Sequence, residues 1–218
     1  MATANKSIVV LISGSGSNLQ ALIDAQTSGQ IPGTITGVLS NVADVYGLER
    51  AADSGIDTIC IDHKQYACRE DFDQAMIAVI DAWQPDLVIL AGFMRILTEA
   101  FVRHYEGRML NIHPSLLPKY KGLNTHQRAI AAGDTHHGCS VHFVSPELDS
   151  GQIIAQGQVA ISPEETPESL AAKVQKVEHQ IYPLCAEWFC QDRLQYQADG
   201  TALLDGASLP PQGQMLNF

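Results

Sequence analysis

The segment Leu110-Asn111-Ile112-His113-Pro114-Ser115-Leu116-Leu117-Pro118 holds the residues best suited to chemistry. It reads as the end of a buried strand running into a rigid turn. Asn111 and His113 are two apart, so in extended backbone they point to the same side. Pro114 fixes its own φ and biases His113 toward extended backbone. An amide donor and an imidazole are thus presented together where a strand stops. Active sites in open α/β sheets lie beyond the carboxyl ends of strands. Asn and His there can polarise a carbonyl and carry a proton. The alternative is a buried asparagine and a hydrogen-bonded core histidine.

Two further stretches can complete such a site. Glu147-Leu148-Asp149-Ser150-Gly151 follows a hydrophobic strand and precedes another. A carboxylate from Asp149 near His113 would orient the ring and favour its protonated form; the alternative is a solvated turn acid. Ser13-Gly14-Ser15-Gly16-Ser17-Asn18 joins an apolar run to a helical pattern. Such a loop lets backbone N–H groups close around an anion at a helix N-terminus. It is not a dinucleotide fingerprint, because Leu19 stands where the last glycine belongs and Asn41 replaces the ribose-binding acid. It is not a nucleoside triphosphate loop, because it has no Lys. A monophosphate site remains, against the alternative of a tight turn that needs glycine.

The elements that must position these residues alternate. Strands are expected at 7–12, 35–40, 57–61, 86–91 and 108–111, with helices from Leu19 and over 44–54, 69–83 and 97–104. Phe72, Met76, Ile77 and Ile80 share one helical face. This alternation predicts a single-domain α/β fold with a mostly parallel, Rossmann-like sheet and helices on both faces. After Gly138 the pattern changes. Strands at 139–145 and 152–161 are joined by too few residues for a crossover, so an antiparallel C-terminal pair is expected. A long helix over 166–189 carries the stripe Leu170, Val174, Val177, Ile181, Leu184 and Trp188, with Thr166 as cap and Pro167 at its first position. Asp199-Gly200 marks a small hairpin within 194–204. No linker or repeat is visible, and residues 1–218 read as one domain.

Bulk properties narrow the function. The 218 residues carry 13 basic and 24 acidic side chains, a net charge of −11, and no basic run. Recognition of nucleic acid through its phosphates is not expected. The odd count of five cysteines, with no Cys-x-x-Cys pair, argues against a disulfide framework or cysteine zinc site. No helical His-x-x-x-His with a nearby acid singles out a metal site, although His63 and His136-His137 invite the question. His142 reads as a core histidine bonded to backbone. No apolar run reaches the roughly 18 residues that span a bilayer, and the opening Met-Ala-Thr-Ala-Asn-Lys has no signal-peptide pattern. A cytoplasmic protein acting on small molecules, with no membrane, nucleic-acid or metal partner, is the expectation.

The motifs together resemble the phosphoribosylglycinamide formyltransferase family. Ser-Gly-Ser-Gly-Ser-Asn-Leu-Gln, Ala-Gly-Phe-Met-Arg-Ile-Leu (91–97), Asn-Ile-His-Pro-Ser-Leu-Leu-Pro-Lys-Tyr (111–120) and Ser-Val-His-Phe-Val…Glu-Leu-Asp-Ser-Gly (140–151) carry the resemblance, which runs from Ile8 to Gly213. It implies the formyltransferase fold and transfer of a formyl group from 10-formyltetrahydrofolate, as co-substrate, to the amine of 5'-phosphoribosylglycinamide in purine synthesis. It implies catalytic roles for Asn111, His113 and Asp149. Gly16, Ser17, Asn18, Gln175 and Glu178 match positions that hold the ribonucleotide. Arg69, Met94, Arg95, Ile96, Leu97, Asn111 and the run Ser145, Pro146, Glu147, Leu148, Asp149 match those that border the folate. Read without the resemblance, Glu178 is a solvated helix residue, and Met94, Ile96 and Leu97 belong to a core.

One departure stands out. Lys121 and Asn124 occupy positions where the family often has Pro and His. The rival readings are a formyltetrahydrofolate deformylase on the same scaffold, which usually carries an extra N-terminal domain, and a non-enzymatic phosphate-ligand binder. A monomer or homodimer is expected.

Overall fold

The computed structural model describes residues 5–217; residues 1–4 of the opening segment, read above for a signal peptide, lie outside them. The chain runs β1 (Lys6–Ile12), α1 (Ser17–Thr27), β2 (Gly33–Ser40), α2 (Tyr46–Asp53), β3 (Asp57–Cys60), α3 (Arg69–Ala82), β4 (Leu87–Leu90), α4 (Glu99–His104) and β5 (Met109–His113). It continues through α5 (Thr125–Ala131), β6 (His136–Phe143), β7 (Ile153–Ala160) and α6 (Pro167–Cys190). Four short strands end it: β8 (Leu194–Tyr196), β9 (Ala202–Leu204), β10 (Ala207–Ser208) and β11 (Gln214–Asn217). The main sheet has the order β11-β7-β6-β5-β4-β1-β2-β3. The neighbours from β3 to β5 are parallel, and β6 is antiparallel to both β5 and β7.

Period-two alternation splits the core across the sheet. Ile8, Val10 and Ile12 join α1 and α6 on one face, while Val9 and Leu11 join Phe72, Met76 and Ile80 of α3 and Phe101 of α4 on the other. All five β1 side chains from Ile8 to Ile12 are fully buried, as a central parallel strand requires. The long helix α6 opens with Thr166 and Ser169 in a reciprocal capping box and Pro167 in the first turn. Its expected stripe is buried, with Leu184 partly so. The Tyr182 hydroxyl lies 2.9 Å from the Leu90 carbonyl oxygen and 3.0 Å from that of Leu110. It pins α6 to the end of β4 and the first half of β5.

Several boundaries differ from the expectation. β5 runs on through His113, and β6 begins at His136, three residues early. Helix α1 starts at Ser17, and α4 at Glu99 after the Thr98 cap. Helix α5 lacks a clear apolar period, and the sequence pattern predicts no element there; only Thr125 and Ala129 in it are buried. The C-terminal strand β11, parallel to β7, covers a sheet edge, and the hairpin gains β10 as a third strand. Neither addition carries a long periodic signal.

The glycine loop owes its shape to one close approach. Gly16 has φ +69°, and a Cβ there would meet Gly47 Cα of α2 at 2.6 Å. A Cβ on Gly14 would meet nothing within 4 Å. Gly16→Ala is expected to lower the urea unfolding midpoint by the equivalent of about 2 kcal/mol, while Gly14→Ala stays within about 0.5 kcal/mol. Equal losses would show that loop composition matters and the α2 contact does not.

Candidate active site

Strand β5 sets the first two side chains. Leu110 and Ile112 face the α1/α6 core, so Met109, Asn111 and His113 turn to the opposite face. His113 is 6% exposed. Its Nε2 donates to the Tyr120 carbonyl at 2.9 Å, which leaves Nδ1 as the nitrogen without a hydrogen bond. Nδ1 lies 3.5 Å from Asp149 Oδ2, an ion-pair distance longer than a full hydrogen bond.

Asn111 is held by a residue read from sequence as structural only. The β5–β6 register sets Asn111 directly opposite His142. Asn111 Nδ2 lies 3.2 Å from His142 Nε2, and His142 Nδ1 lies 2.8 Å from the Phe143 carbonyl. The carbonyl can only accept, so Nδ1 carries the proton and Nε2 accepts from Asn111. Burial lowers the pKa of His142, which keeps the ring neutral as this pairing needs. The backbone bond was expected; the grip on Asn111 was not. A polar residue alternating with Ser140 in a buried strand was the available signal.

Asp149 reaches the site by a return path. Phe143, at the end of β6, pairs with Leu110 near the start of β5, so the 144–152 loop leaves at the far end from His113. At roughly 3.3 Å per residue it must climb back about 10 Å. Gly151 permits the fold-back, because a Cβ there would overlap the Phe143 carbonyl. Asp149 takes φ 48°, a left-handed conformation that Asp tolerates better than most residues. Its Oδ2 accepts the Gly122 N–H at 3.0 Å, and its Oδ1 lies 4.0 Å from His142 Nε2. The carboxylate therefore sits between two imidazoles and one amide. Lys121 crosses the same gap to Glu147 at 3.4 Å and also bonds Ser150. Asn124 caps α5 with φ 57°, again a conformation suited to Asn.

The second group gathers where α1 meets α6. Asn18 Nδ2 donates to Glu178 Oε2 at 2.9 Å, and Gln175 Nε2 lies 3.1 Å from Ser17 Oγ. Glu178 is 9% exposed rather than solvated, and burial raises its carboxyl pKa against the opposing Asn18 bond. Asn18 Oδ1 is buried without a partner. The first turn of α1 holds no acidic residue, leaving its N-terminal amides open to an anion.

The third group is the segment after β4. Met94 and Ile96 are 71% and 62% exposed, so they are not core; Leu97 packs partly against the α3/α4 core. Arg95 is half-buried. Arg69 opens α3 and is exposed, as are Pro146, Glu147 and Leu148 on the return loop, with Ser145 half-buried. Among the described residues no group of three or more His, Cys, Asp or Glu is placed to hold a metal ion, and no helix is long and apolar enough to cross a membrane.

The formyl transferase family matches residues 6–185. Phosphoribosylglycinamide formyltransferase of Escherichia coli (strain K12) is 53% identical over 94% of this chain and 97% of its own length. The chain belongs to the phosphoribosylglycinamide formyltransferase family. The solved structure of the member from Coxiella burnetii, in complex with CHES, is 50% identical with a TM-score of 0.93, covering 98% of this chain and all of that one. The trifunctional purine biosynthetic protein adenosine-3 of Homo sapiens is 45% identical over 88% of this chain but only 19% of its own length, so this family also occurs as part of a much longer protein.

In this family member the buried histidines make stability depend on pH. Burial, aided by His126, holds His137 down at about 4, and burial lowers His142. The unfolded chain takes up these protons near the ordinary value of about 6.5. The His137 contribution is therefore complete above about 6.5 and is lost as pH falls toward 4, and that of His142 is lost in the same direction. The unfolding free energy should drop across that window by about 1.4 kcal/mol per pH unit for the His137 proton. Urea titrations of His137→Gln should give a shallower drop; an unchanged slope would exclude His137 as a source.

Proposed function

We propose that this chain transfers the formyl group of 10-formyltetrahydrofolate to the amine of 5'-phosphoribosylglycinamide, giving formylglycinamide ribonucleotide and tetrahydrofolate. The observation that carries the reading is the meeting of Asn111, His113 and Asp149 in one group, in a member of this family. The amine attacks the formyl carbon and a tetrahedral oxyanion forms. Asn111 gives one amide N–H to His142 and has a second to offer the oxyanion. With Nε2–H given to the Tyr120 carbonyl, His113 in its protonated form would offer Nδ1–H, with the Asp149 carboxylate alongside. Collapse breaks the bond from carbon to the folate nitrogen. One proton leaves the attacking amine and one reaches that nitrogen, and Asp149 with His113 is placed to pass it. The steps use side chains only, and no metal is invoked.

Substrate placement follows the two remaining groups. The phosphate would lie against Gly16, Ser17 and Asn18 at the N-terminus of α1. Glu178 and the unpartnered Asn18 Oδ1 would accept ribose hydroxyls, with Gln175 beside Ser17. Met94, Ile96 and Leu148 stand exposed on the segments assigned to the folate, together with Arg69, Arg95, Leu97 and Ser145–Asp149. Large apolar side chains held in water are what a flat heteroaromatic ligand would cover. We read the protein as cytoplasmic, acting as a monomer or homodimer.

Tetrahydrofolate release is expected only when the ribonucleotide is present; release into water at a comparable rate would identify a deformylase. His113→Ala should reduce turnover about a hundredfold to a thousandfold, and near-full turnover would remove it from the mechanism. Asn18→Ala should raise the KM for the ribonucleotide more than that for the folate, with the reverse order counting against the phosphate assignment.

A further inference from the structure

We propose that Ser13, although it lies in the loop assigned to the ribonucleotide, is a positioning residue for the folate segment. The inference rests on reading residues 94–97 as that segment. Ser13 directly follows β1. Its hydroxyl oxygen accepts the Met94 N–H at 2.7 Å, and its proton goes to Asn41 Oδ1 at 2.5 Å. Because Asn41 takes the proton, a lone pair of the hydroxyl is left facing Met94. Asn41 directly follows β2 and is 2% exposed, and its backbone carbonyl accepts from His63 Nδ1 at 3.1 Å. The hydroxyl therefore has a fixed direction.

Strands β4, β1 and β2 are neighbours in the sheet, so the loops that leave their carboxyl ends lie side by side. One hydroxyl clasps all three. The far end of the segment has its own anchor, where Asp73, 2% exposed, accepts the Thr98 N–H at 2.7 Å. Between these anchors stand the exposed Met94 and Ile96. A free loop would turn two such side chains inward, because exposing them to water is unfavourable. Backbone fixed at both ends holds them out.

The same geometry gives Asn41 a purpose. At the end of the second strand, a dinucleotide-binding fold uses an acid to hold ribose. Here the side chain points back to Ser13 and is used inside the protein.

The test is the KM for each substrate in Ser13→Ala and Ser13→Thr, with Ile96→Asp as a control on the segment. One hydrogen bond lost from the clasp predicts that Ser13→Ala raises the KM for 10-formyltetrahydrofolate about five- to tenfold and leaves that for the ribonucleotide within about twofold. Ser13→Thr keeps the hydroxyl and should recover most of the loss. A general loosening of the glycine loop would instead move the ribonucleotide KM, and that result overturns the proposal. If Ile96→Asp raises the folate KM and Ser13→Ala does not, the Ser13 assignment fails while the segment stands. If neither variant moves it, the segment reading itself falls and takes the proposal with it.

Discussion

The antiparallel pairing of β6 on β5 is the constraint on which the site depends. It sets Asn111 opposite His142 and His113 opposite Ser140. A register slip of one residue would turn each side chain to the other face and dissolve both contacts. The pairing also reverses the chain, so the loop after β6 starts at the wrong end of β5 and has to double back. That return delivers Asp149 to His113 across the sheet face. The irregularity between Val141 and His142 in the pairing with β7 falls beside the site, where bulges are commonly used to re-aim a side chain.

Burial does chemical work around that pairing. A dry His142 stays neutral and accepts from Asn111. The segment 120–122 braces the other side, giving a carbonyl to His113 and an N–H to Asp149. In these contacts the site is bound as much by backbone as by side chains. Tyr182 adds the link between halves, since its hydroxyl holds α6, which carries Glu178 and Gln175, onto β4 and β5.

Much of this was legible in the sequence. Asn111 and His113 two apart before a proline fixed their common side, and the aliphatic runs fixed the central strands. The glycine loop and the cap of α6 were equally plain. What escaped was of two kinds. Helix α5 and strand β11 bury too little to impose a period, since tertiary contacts hold them. The exposure of Met94 and Ile96 and the burial of Glu178 run against what their residue types suggest. Such contradictions gather where a protein gives up local comfort for a ligand. The link from His142 to Asn111 was hidden for another reason: it joins residues far apart in the chain, and only the strand register reveals it.

Glu178 has a consequence for recognition. Its carboxyl group is already stripped of most water by folding and accepts from Asn18. A ligand that brings hydroxyl donors to it displaces little solvent from the protein and leaves no freely moving side chain to be frozen. The entropy of ordering was surrendered when α1 packed on α6, long before any encounter. If Glu178 receives the ribonucleotide as proposed, discrimination there would work by omission: an analogue lacking those hydroxyls would strand a dry acceptor, and a stranded buried acceptor is penalised more heavily than a missing contact in water.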